Sequence, residues 1–223
     1  MQKWIFEIRS RSFVLLVIGF IIISLLVKLQ VTENFDQQTI GAFQSVSGNT
    51  TLDLLMQSIT EIGDVYYMLI FSIILLIIKR TRRIGLALMI LLVLTTLLTG
   101  YIKCGVDRDR PTLDYDGNPF LIELSNDTFS LFCEGSANAS YPSGHAARAA
   151  VFGVILGYVL SERFPRGCYL LLLYPILMSL SRVYVLQHYP MDVIGGTILG
   201  LFLAGYIGHK TKLSKFLNQK PKS

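Results

Sequence analysis

Six apolar segments, at about residues 12–29, 62–78, 84–102, 145–160, 167–184 and 191–208, constrain this chain more than any other feature of its sequence. Each approaches the ~20 residues that a bilayer-crossing helix needs. Hydrocarbon offers a backbone no hydrogen-bond partner, so segments of this kind satisfy their own N–H and C=O groups as helices. The fourth is short and reaches spanning length only when extended to the turn at His145. Hydrophobic residues make up 52% of the 223, and mean hydropathy is +0.53, values that exclude an ordinary soluble domain. We expect an all-α fold, a six-transmembrane-helix bundle that forms one integral-membrane domain over residues 1–223.

The first segment follows Lys3, Arg9 and Arg11 as a signal peptide would, but Val27-Lys28-Leu29-Gln30 offers no small-residue cleavage site, so it is read as a span. Residues 1–11 carry Trp4, Ile5 and Ile8 at helical spacing and read either as an interfacial segment or as a frayed terminus. Six spans put both ends of the chain on one side. The N-terminal segment, Lys79-Arg80-Thr81-Arg82-Arg83, the link with Arg163 and Arg166, and the tail at 209–223 hold 14 of the 20 lysines and arginines. By the positive-inside rule those regions are cytoplasmic. The other side carries 13 of the 15 acidic residues. The net charge of +5 therefore reports topology in a cell membrane, and no nucleic-acid partner is expected.

Cys104 and Cys133 fall on the outer side, where a disulfide is chemically allowed, and Cys168 lies at the cytoplasmic end of the fifth span. Asn49, Asn126 and Asn138 begin glycosylation tripeptides in outer loops. The first outer loop, residues 30–61, shows no chemical motif and reads as a plain connector in preference to a lid or a headgroup-level segment. Glu61 and Asp64 beyond it read as solvated groups at the water boundary.

Chemistry concentrates in three clusters on the outer face. The first, Lys103-Cys104-Gly105-Val106-Asp107-Arg108-Asp109-Arg110-Pro111, offers three cations that either clamp a phosphate or anchor a span end among headgroups. A long loop follows, over residues 112–140, of a length usual for lids and binding loops. The second cluster is Tyr141-Pro142-Ser143-Gly144-His145, opening into an apolar run. Alone it reads as a turn. At the start of a helix, its unpaired N–H groups and positive dipole end also favour an anion. Arg148, three residues on, reaches a second phosphate or a headgroup, or pairs with an outer-loop acid. The third cluster is Ser181-Arg182, then His188, then Asp192 just inside the last helix.

Together these residues can divide the work of phosphoryl transfer. His188, oriented by Asp192, attacks phosphorus; His145 protonates the leaving oxygen and then activates water. Lys103, Arg110, Arg182 and the N–H groups near Ser143 and Gly144 stabilise the equatorial oxygens. These cations make a metal or other cofactor unnecessary in this reading.

The combination resembles the type 2 phosphatidic acid phosphatase superfamily. Its three-part pattern is filled by Lys103 to Arg110-Pro111, by Pro142-Ser143-Gly144-His145, and by Ser181-Arg182 to His188 to Asp192. The resemblance implies phosphate binding by Lys103, Arg110, Ser143, Gly144 and Arg182, an acid role for His145, a nucleophile at His188 and Asp192 as its partner. Arg148 stands outside the pattern. The integral-membrane branch implies a membrane lipid partner: a phosphatidate, a phosphatidylglycerophosphate or a polyprenyl diphosphate. Two other readings are a lipid phosphotransferase, in which an alcohol replaces water, and a non-catalytic lipid-phosphate binding or transport protein.

Overall fold

The computed structural model describes residues 10–111, 133, 138–161 and 164–210. Nearly all of the proposed interfacial segment, most of the loop 112–140 including Asn126, Arg163, the side chain of Cys168 and the basic tail beyond Lys210 lie outside them. Eight α-helices make up the described fold: α1 (Arg11–Lys28), α2 (Glu33–Val46), α3 (Thr50–Ile62), α4 (Val65–Ile77), α5 (Arg82–Val106), α6 (Gly144–Ser161), α7 (Leu173–Tyr184) and α8 (Pro190–Lys210). Helices α1, α5, α6 and α8 are long and apolar enough to cross a membrane.

The second and fifth expected spans differ from these. The second covers only α4, which meets α3 at a bend of 54°, and the two pass as a single span only when taken together. Asp64 makes the break, because its side chain accepts a hydrogen bond from Tyr66 N at 2.8 Å and restarts the helix. The fifth is a short apolar helix whose first part, Gly167–Leu172, winds as a 3-10 helix. Pro175 explains this: it has no N–H to return to the carbonyl of Leu171, so the α ladder begins only at Leu173.

Helix α6 is buried on nearly every side from Ala146 to Ile155, as a central helix must be. Leu88, Leu91 and Leu92 of α5, Met68 of α4 and Ala204 of α8 close around its Val151, Phe152 and Ile155. Small residues let α8 approach it: a Cβ at Gly196 would strike the carbonyl of Ser143, and one at Gly200 the carbonyl of Ala147. That contact pins the N-terminus of α6 against the first turns of α8. The connector expected at residues 30–61 is instead two helices. One face of α2 carries Thr32, Asp36 and Ile40 into the protein, while α3 lies on α7 and is tied to it by a Tyr184–Asp53 hydrogen bond of 2.5 Å.

Candidate active site

The ends of α5, α6, α7 and α8 meet on one face. Ser143 caps α6: its carbonyl accepts from Ala147 N at 3.1 Å and its hydroxyl from Ala146 N at 3.4 Å. Ser143 N in turn donates to the backbone carbonyl of Asp192 at 2.9 Å, which fixes the α6 terminus to α8. The N–H groups of Gly144 and His145 thus occupy the first turn, where no preceding carbonyl exists to take them. Tyr141 is fully buried beneath this turn, its hydroxyl 2.8 Å from that of Ser24. Burial pushes its phenol up to about 12.

Lys103 closes α5, with its ammonium donating to the Ala139 carbonyl at 2.6 Å. Asp107 takes a left-handed conformation (φ 54°) that ends α5 and turns the chain inward. Arg110 then donates to the Gln187 side chain at 2.5 Å, and Arg182 to the Thr60 hydroxyl at 3.3 Å. All three are near enough to His188 for their charges to act on its imidazole.

His188 sits in the turn between α7 and α8, held by its N–H to the Arg182 carbonyl at 3.2 Å. It is 2% exposed. Burial holds its imidazole well below the usual range; Arg182, Arg110 and Lys103 push the same way, and a hydrogen bond with the Ser140 backbone opposes them. The ring is therefore neutral near pH 7. Among the described residues its Nδ1 has no hydrogen-bond partner, and it lies 3.7 Å from Asp192 Oδ2, a separation of the kind that tightens when substrate binds. All eight residues expected in the site, Lys103, Arg110, Ser143, Gly144, His145, Arg182, His188 and Asp192, thus lie at this end of the helices.

Arg108 takes neither role offered for its cluster, the phosphate clamp or the headgroup anchor. Its guanidinium bridges two fully buried carboxylates, Asp36 at 2.8 Å and Asp192 at 2.9 Å, and stacks 4.0 Å over the ring of Tyr189. Burial opposes its charge, but Asp192 and Asp36 outweigh that and raise its pKa. Asp36 also accepts from Thr32 Oγ1 at 3.0 Å and Met191 N at 3.1 Å. Asp192 completes its own set with Tyr189 N at 2.8 Å. A carboxylate on the apolar stripe of a helix, in line with Ile40, was the sequence signal for Asp36. Thr60 and Gln187 carried none that distinguishes them from other polar residues.

Cys104 and Cys133 are bonded, which joins the end of α5 to the chain ahead of Ser140.

This constellation has counterparts in known proteins. The chain is 31% identical over 199 residues to an undecaprenyl-diphosphatase of Sulfolobus acidocaldarius, covering 88% of this chain and 89% of that protein. It is 27% identical over 176 residues to phosphatidylglycerophosphatase B of Bacillus subtilis, with 74% and 78% covered. The crystal structure of a transmembrane PAP2-type phosphatidylglycerolphosphate phosphatase from Bacillus subtilis shares its fold, with a TM-score of 0.70 at 25% identity over 91% of this chain and 97% of that one. The family model for the PAP2 superfamily matches residues 83–212, a stretch that contains the two histidines, the aspartate and every cation gathered around them. By that match the chain belongs to the PAP2 superfamily, and it is a multi-pass membrane phosphatase.

Proposed function

We propose that this protein hydrolyses a lipid phosphate or polyprenyl diphosphate through a phosphohistidine, without a metal ion, at the outer surface of the membrane. The observation that carries the reading is the meeting of two histidines, a carboxylate, three cations and a helix N-terminus at one buried point. His188 Nε2 attacks phosphorus while the bond to the leaving oxygen breaks, and His145 gives that oxygen its proton. Asp192 holds the Nδ1–H side of His188 and stabilises the cationic ring that forms. Water then attacks the phosphorus, His145 takes the water's proton, and the P–N bond breaks to release phosphate and neutral His188. Lys103, Arg110, Arg182 and the first-turn N–H groups of α6 stabilise the oxygens in both steps. This is the work that a bound divalent cation does in other phosphatases.

Sidedness follows from charge. The site end carries most of the acids, whereas Lys79, Arg80, Arg82, Arg83 and Arg166 lie at the other end. We read six crossings, with α3–α4 as the second and the Tyr169–Tyr184 helix as the fifth. Both termini are then cytoplasmic and the site extracytoplasmic.

Phosphate release from phosphatidate, phosphatidylglycerophosphate and polyprenyl diphosphates, measured as a panel in one detergent with excess EDTA, tests the reaction. At least one lipid is expected to be turned over at its EDTA-free rate. Activity that EDTA abolishes and Mg²⁺ restores would count against the mechanism.

A second test concerns the support of Asp192. Asp36→Asn removes a charge that holds Arg108, and with it the position of Asp192. We expect kcat to fall by about 10- to 10²-fold, the scale of a small misplacement of a catalytic group, with KM little changed and partial recovery in Asp36→Glu. A loss of thermal stability at unaltered kcat would show a purely structural tie.

A further inference from the structure

Arg148 is a buried cation that the reaction as written does not use. It is 7% exposed, yet among the described residues no carboxylate lies in ion-pair range of it, and its Nε has no hydrogen-bond partner. Asp64 attracts it only at a distance, being occupied with the cap of α4. Its one direct hydrogen bond among the described residues runs from Nη2 to the carbonyl of Gly63, at 3.3 Å. A guanidinium has five N–H donors in a planar fork, and burying one so sparsely bonded is costly unless an anion arrives to meet it.

Its position says which anion. Side chains on a helix lean back toward the N-terminus, so Arg148 returns to the first turn of α6. There its Nη1 stands 3.0 Å from the point a Cβ on Gly144 would occupy. Gly63, whose carbonyl anchors it, also faces His145, whose Cδ2 is 3.2 Å from a Cβ built on Gly63. Cδ2 is bonded to Nε2 of the same ring. Arg148 therefore borders His145, and its charge registers there together with those of Arg182 and Arg110.

We propose that Arg148 binds a second phosphoryl group, the one that departs with the lipid, and so makes this a site for lipid diphosphates. The inference rests on the hydrolytic reading above. In a diphosphate the leaving oxygen is the bridging one, and His145 delivers its proton to it. The departing phosphoryl group then lies just beyond that oxygen, beside His145, where Arg148 can take two of its oxygens in bidentate fashion. In a monophosphate the same place holds carbon, and the buried guanidinium gains nothing.

The test compares farnesyl diphosphate with farnesyl monophosphate, for wild type, Arg148→Gln and Arg148→Lys in the same detergent. Arg148→Gln is expected to lower the ratio of kcat/KM for diphosphate over monophosphate by about 10- to 100-fold, the worth of charge-assisted hydrogen bonds. Arg148→Lys, which keeps the charge without the fork, should fall between. Equal losses on both substrates would overturn the proposal and leave Arg148 as a cap on the Gly63 break. An unchanged ratio with full activity would overturn it too. Binding of both ligands by titration calorimetry separates the two levels of inference. If wild type turns over neither substrate, hydrolysis falls, and Arg148 is still decided by whether Arg148→Gln weakens diphosphate binding more than monophosphate binding.

Discussion

His188→Ala is expected to abolish phosphate release, lowering kcat by a factor on the order of 10⁴ or more, as removal of a nucleophile does in enzymes whose catalytic groups act as a unit. The expectation rests on where the ring sits. His188 is buried in the turn between α7 and α8, and burial together with Arg182, Arg110 and Lys103 disfavours its protonated form. A neutral imidazole among cations is a ready nucleophile at neutral pH, and those cations draw the phosphate to it. The sign of the pH effect follows: because the imidazole pKa is lowered, the acid limb of kcat/KM, where His188 gains a proton, should lie below the ordinary value of about 6.5. Rapid acid-free quenching of wild type with labelled substrate should trap label on the protein, and His188→Ala should trap none. Near-normal turnover in the variant, or label retained on it, would remove His188 from the nucleophilic role.

The sequence located the residues gathered at this site better than those that support them. Lys103, Arg110, His145, Arg182, His188 and Asp192 were legible because each sits where an apolar run ends, and charge at such a place is conspicuous. Asp36 was not, because the largely polar stretch around it reads as a loop, and its place in line with Ile40 becomes a signal only once that stretch is a helix. Only the tertiary fold brings its carboxylate 2.8 Å from Arg108. Arg108 itself was read with its cluster either as a phosphate clamp or as a headgroup anchor, since a cation beside Lys103 and Arg110 looks like its neighbours. The left-handed turn at Asp107 sends it instead between Asp36 and Asp192. Span lengths were hardest to read where a helix breaks without losing hydrophobicity. Gly63 and Asp64 interrupt the second span, and Pro175 delays the fifth, although leucines and isoleucine flank that proline on both sides. Asp36 and Thr60 lie on the two helices of the misread connector, and both bond to site arginines, so this stretch is part of the site's framework.

His145→Ala is expected to slow hydrolysis of an alkyl lipid phosphate by ~10²–10⁴, the usual range for a general acid. The size of the loss should depend on the leaving group, and this separates proton donation from mere packing. An alkoxide leaves poorly without a proton, whereas an aryl oxide such as p-nitrophenolate leaves readily without one. The variant's deficit in the first step should therefore shrink sharply on p-nitrophenyl phosphate. The second step still needs a base to activate water, so on that substrate the variant should show a burst of p-nitrophenol followed by slow turnover, with phosphohistidine accumulating at His188. His145 is well placed for both duties: it lies on the first turn of α6 and is held there by the Ser143 cap and the tie to Asp192. A His145→Ala enzyme equally slow on alkyl and aryl substrates, with no burst, would show that the ring shapes the site without moving a proton.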